Sequence, residues 1–127
     1  MDWAALITWV ITAGGGFVLL AIWLKRGGMQ QSSGIRTARI MSHFLLAATG
    51  LVLWIVYVAT DKSALAWIAF ALLLVVALIG FSMLAIWLKQ RSRREEAAEQ
   101  HFPLAIVGLH GILAATTLVL VFLAAIS

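Results

Sequence analysis

The sequence predicts an all-α integral membrane protein, a bundle of four transmembrane helices built from two tandem, parallel helical hairpins with the N and C termini outside. Three observations predict it: the apolar composition, four apolar runs of membrane-spanning length, and a repeat relating the two halves. Of 127 residues, 64% are hydrophobic and 11% charged. A soluble domain of that size would lack the polar surface to face water. A bilayer removes the difficulty, because a spanning helix needs about 20 mostly apolar residues.

The four runs are Trp3–Leu24, Thr37–Thr60, Ser63–Leu88 and Phe102–Ile126. The first has no basic segment before it and is long enough to span, so it is expected to be retained as a helix rather than removed as a leader. Pro103 falls near the start of the fourth, where its missing N–H costs little. Eight of the nine basic residues lie in two connections: Lys25, Arg26, Arg36 and Arg39 between the first and second runs, Lys89, Arg91, Arg93 and Arg94 between the third and fourth. Lys62 is the exception, beside Asp61 in the short turn after the second run. The basic loops are expected in the cytoplasm, most simply in a bacterial inner membrane. This pattern accounts for the net charge of +4 without nucleic acid. Trp3, Trp23, Trp67 and Trp87 stand near helix ends, as an interfacial aromatic belt would.

The repeat is specific. Trp3–Lys25 and Trp67–Lys89 agree at 11 of 23 positions, including Ala-Ile-Trp-Leu-Lys at both inner ends. His43–Leu53 and His110–Leu120 agree at 8 of 11, the histidines among them. The chain reads as a single membrane domain with repeats at 1–62 and 63–127. Both units begin outside, so they are parallel and related by an approximate two-fold axis along the membrane normal. The inner loops differ. Residues 27–34 read as a flexible, Gly/Ser-rich linker; Arg91–Gln100 carries Glu95, Glu96 and Glu99, a charged stretch able to extend the third helix into the cytoplasm.

Without cysteine there are no disulfides, thiolate-bound iron–sulfur clusters or covalently attached c-type haem. No Asp, Glu or Lys is expected within the spans, which argues against a carboxylate proton relay or acid–base catalysis. The ionisable residues expected inside are His43 and His110. Equivalent residues of parallel repeats lie at one depth, and two neutral imidazoles facing each other there are what an axially ligated haem iron requires. At 3.6 residues per turn, Arg36, Arg39, His43, Ala47 and Gly50 share one stripe, and Ile106, His110, Ala114 and Thr117 the matching one. Ala47 and Ala114 leave room for a flat macrocycle. Gly16 and Gly80, about 13 Å of helix from Lys25 and Lys89, would let backbone approach a ring face. Arg39 and Arg36, one and two turns from His43, suit haem propionates. Thr49 and Thr116 are expected to hydrogen-bond their own helices. His101 is half a turn out of phase with His110 and reads as an exposed residue at the membrane edge.

These histidines, glycines and helices resemble the small four-helix membrane b-type cytochromes, in which histidines on two helices hold a non-covalent haem. The resemblance is architectural and spans the whole chain. It implies haem b between helices 2 and 4 near the cytoplasmic side, with His43 and His110 as the axial ligands, and electron exchange with a quinone or a redox protein partner. Only one histidine pair is present, where many such proteins carry two. Two alternatives stand beside it: a non-catalytic accessory or scaffold subunit, in a homo- or hetero-oligomer packed through its small residues, and a small transporter of a metal or hydrophobic solute.

Overall fold

In a computed structural model describing residues 1–127, the chain forms four long helices and no strand: α1 (Asp2–Lys25), α2 (Thr37–Thr60), α3 (Ser63–Ser92) and α4 (Leu104–Ile126), with a short 3₁₀ turn at Ala98–His101 before α4. Each α-helix is long and apolar enough to cross a membrane, the make-up of an integral membrane protein. Large apolar side chains such as Ile7, Phe17, Leu45, Val52, Leu78, Phe81, Leu109 and Ile112 point outward on all four. Such a surface suits lipid, where helix backbones satisfy their own hydrogen bonds.

The starts and ends have local causes. Arg36 is extended and precedes α2, and Asp61 closes that helix in the left-handed conformation at φ 55°. Pro103 caps α4, as its position in the sequence suggests. The third helix does not run on through Arg91–Gln100. It stops at Ser92, Arg94 turns the chain at φ 54°, and the segment folds back as the 3₁₀ turn. The expected straight extension is replaced because Glu99 finds buried donors, described below.

Packing is closest between α2 and α3 and between α1 and α4. α1 with α2, and α3 with α4, touch less, while the diagonal pair α2 and α4 make no backbone contact within 8 Å. The end holding both termini has the core: Ala5, Trp9, Trp54, Ala66, Ala69, Leu73, Val76, Val121, Ala124 and Ala125. Alanines let the backbones close in, and Trp9 and Trp54 fill the space left, their rings 6.5 Å apart. Trp54 Nε1 donates to Asp2 O, fastening the start of α1.

The opposite, basic end is closed differently. Trp23 and Trp87 are buried there, at 0% and 2% exposure, whereas Trp3 and Trp67 are exposed. Only the terminal-end pair therefore matches the expected aromatic belt. The linker at 27–34 is not a loose tether: Gly28 packs against the Trp23 ring with no room for a Cβ, and Gly27 and Gly34 take positive φ.

Candidate functional site

Between these two ends lies a layer in which no side chain is fully buried. No side chain of α1 between Thr12 and Trp23, of α2 before Gly50, of α3 between Val76 and Trp87, or of α4 before Thr117 is buried. Ten residues of helix rise about 15 Å, so the layer is thick. His43 and His110 stand within it, about two turns from Gly50 and Thr117 on their own helices. Each is half-buried, and their ring centroids lie 6.3 Å apart with the planes at 66°.

The two rings are held in the same way. His43 Nδ1 is 3.0 Å from Val76 O of α3, and His110 Nδ1 is 2.9 Å from Thr12 O of α1. A carbonyl only accepts, so Nδ1 carries the proton in both rings and Nε2 keeps its lone pair. This is the arrangement by which a metal-ligating histidine is oriented, its second nitrogen anchored on a backbone carbonyl. Val76 and Thr12 are 64 residues apart, as are Gly80 and Gly16, the offset of the sequence alignment.

A glycine lies beneath each ring. A Cβ on Gly80 would lie 3.0 Å from His43 Cε1, and one on Gly16 3.1 Å from His110 Cε1. These glycines admit the imidazoles to the α3 and α1 backbones; the close partner is the histidine itself rather than the face of a macrocycle. Gly15 also borders His110, whereas Gly14, Gly108 and Gly111 face open space. Ala47 packs on the edge of the terminal-end core, and Ala114 is half-buried one turn from His110.

Arg36 and Arg39 line an exposed groove of about 340 Å³ with Ala38, Ser42 and Ile79. Arg39 Nη1 donates to Ser82 Oγ at 2.7 Å. Neither arginine makes an ion pair, the one salt bridge of the chain being Arg93 with Glu95. Thr49 and Thr116 donate to Leu45 O and Ile112 O of their own helices, as expected. His101 is exposed on the 3₁₀ turn, borders a polar cleft with Arg26 and Glu95 and takes no part in the histidine layer.

Sequence reasoning missed the closure of the basic end. Glu99, outside the four helices, has 0% exposure. Its carboxylate accepts from Gln31 Nε2 at 2.8 Å, Ile35 N at 2.5 Å and Gln90 Nε2 at 3.1 Å, and its carbonyl accepts from Trp87 Nε1 at 2.7 Å. Gln31 Oε1 accepts from Ala98 N, and Gln100 Nε2 donates to Gln90 Oε1 and Trp87 O. A buried carboxylate costs several kcal/mol unless compensated; here three N–H donors compensate it and no cation does. The only hint in the sequence was that Glu99 follows two alanines while Glu95 and Glu96 follow arginines.

The donor chemistry can be weighed against what it would hold. No group of three or more His, Cys, Asp or Glu converges anywhere in the chain. A bare metal ion, which usually takes four protein ligands or three with a water, would find two. An iron already held in a macrocycle needs only two, one on each face. A metal–imidazole bond of about 2 Å plus roughly 1 Å to the ring centre puts two opposed ring centres about 6 Å apart, which the observed 6.3 Å matches. The number of imidazoles and the spacing of their centres are thus compatible with a haem iron. No protein-family model, curated protein or solved structure matches the chain.

Proposed function

We propose that this chain is a membrane-embedded haem b protein that carries electrons, with His43 and His110 as the two axial ligands. The observation that carries the reading is the histidine pair, two rings 6.3 Å apart, each pinned through Nδ1 to a neighbouring helix with Nε2 left free. Unlike the two ends of the bundle, the layer around them contains no fully buried side chain.

The chain lies in a bilayer, by this reading the bacterial inner membrane, with the Lys/Arg-rich loops in the cytoplasm and both termini outside. It arose as two tandem parallel hairpins. One histidine–carbonyl contact and one histidine–glycine contact recur, the carbonyls and glycines 64 residues apart and the histidines 67, which supports that origin.

Each part then has a task. Val76 O and Thr12 O fix ring orientation and tautomer. Gly80 and Gly16 set how far each ring withdraws towards its supporting helix. Trp23, Trp87 and the Glu99 cluster keep bulk water from the layer. Arg36 and Arg39, uncompensated at the cytoplasmic edge of α2, would meet the propionates. When bound, haem supplies a one-electron iron centre whose potential follows its axial ligands, charge surroundings and burial. With His43 and His110 both holding the iron, the site would suit electron exchange with a quinone or a redox protein better than oxygen chemistry.

An absorption spectrum tests this. Protein purified from haem-replete cells should show a Soret band that sharpens and shifts on reduction, with His43→Ala and His110→Ala each abolishing the six-coordinate low-spin signature. One specific observation favours a second reading, a non-catalytic scaffold: the same histidine–carbonyl bonds join α2 to α3 and α4 to α1, and would do so in a protein that binds nothing. Colourless protein that takes up no haem would decide for the scaffold.

A further inference from the structure

The helices that carry the histidines, α2 and α4, stand diagonally with no Cα pair within 8 Å, so their backbone spacing is set through the elements that join them. At the terminal end the shared Trp/Ala core sets it. At the basic end the joining element is Glu99. Ile35 lies just before α2, and Glu99 just before α4. The bond from Ile35 N to Glu99 Oε2 therefore ties the lead-in of one histidine helix to the lead-in of the other. Gln31 doubles the tie by donating to Glu99 Oε1 and accepting from Ala98 N. Gln90, near the end of α3, anchors the carboxylate from beneath.

The donor set demands a carboxylate. Three N–H groups point at its two oxygens and no acceptor does. In Glu99→Gln, the new amide nitrogen would meet Ile35 N–H and the Gln90 amide, or else the Gln31 amide. Gln31 cannot turn over to accept, because its own oxygen already serves Ala98 N. The geometry points to Glu99 as a positioning residue: by clamping the starts of α2 and α4 together it sets the separation of His43 and His110. The consequence for an iron between them rests on the haem reading above; the clamp itself does not.

The chain has no cysteine, which gives a direct test. Ala38 and Ala105 are both exposed, near the starts of α2 and α4. Ala38→Cys with Ala105→Cys, nitroxide-labelled in lipid nanodiscs, reports the α2–α4 distance by pulsed electron resonance without any haem. The wild-type background should give one narrow distance, and Glu99→Gln a broadened or displaced one. The exchange Gln31→Glu with Glu99→Gln preserves every bond: the amide moved to the 3₁₀ turn donates to the carboxylate moved to the linker, and its oxygen still accepts from Ile35 and Gln90. The exchange should restore the narrow distance and, in haem-loaded protein, the low-spin spectrum that Glu99→Gln weakens. If Glu99→Gln does not fold, the exchange carries the test alone and must fold with the wild-type distance. An unchanged distance in Glu99→Gln, or an exchange that fails to fold or to restore, overturns the proposal. A clamp that behaves as expected in a chain that takes up no haem overturns the haem reading and leaves the clamp standing.

Discussion

The two halves of the bundle use the same four helices differently. Towards the termini, Trp9 and Trp54 interlock among alanines and ten buried residues form one cluster. Towards the basic loops, about three turns of every helix pass with no buried side chain before Trp23, Trp87 and Glu99 close the end. Close packing makes the first half a rigid clamp. The second half is a frame whose contacts are polar and few, two imidazoles on backbone carbonyls and a carboxylate on three N–H groups. The histidine layer differs from both ends in having no fully buried side chain.

The contrast can be broken from the packed side first. Trp54→Ala should remove the largest plug of the core, costing about 3–5 kcal/mol, read as loss of folded protein in denaturant titration of reconstituted samples. It should disturb the histidine layer only by unfolding the whole bundle. Within the layer, Gly80→Ala should cost about 1–3 kcal/mol through crowding of the imidazole and weaken haem retention. Gly111→Ala, one residue from His110 but facing open space, should be neutral in the same assays. Equal effects from the two glycines would remove the case for a fitted ring bed.

At the boundary between the halves, Thr12 and Thr117 bring their hydroxyls within 3.3 Å. Thr117→Val keeps the shape and removes one hydroxyl, and should cost about 0.5–1 kcal/mol, the usual worth of such bonds between membrane helices. The smallest effect belongs to Arg39→Ala. Its exposed bond to Ser82 should contribute under about 1 kcal/mol, so folding should be unchanged. A shift in haem reduction potential in that variant would mark Arg39 as a propionate partner, and an unmoved potential would restrict it to the membrane edge.

Much of this was legible in the residues alone. Four apolar runs, Thr37–Thr60 to the residue, follow from side-chain chemistry and helix geometry, because in an apolar medium a backbone of that length has few other forms. The pairing of His43 with His110, and the equivalence of Gly16 and Gly80, were legible because duplication wrote them twice, but that each glycine would bed an imidazole was not. The burial of Trp23, Trp87 and Glu99 was not. A tryptophan near a helix end fits a lipid interface as well as a protein interior, and a glutamate in a charged segment fits water. Which of these holds depends on whether a second segment arrives with donors in place.

By itself, then, the sequence determined the number, length and apolar character of the helices, and it marked the histidines as equivalent. Only the tertiary structure decided that α2 and α4 stand apart across the diagonal, that each imidazole leans on the neighbouring helix rather than its own, and that the basic end closes over a carboxylate. The physical reason is that helix formation is local, satisfied within a few residues of backbone. The carbonyls of Thr12 and Val76 and the N–H of Ile35 become partners only once distant segments are brought together.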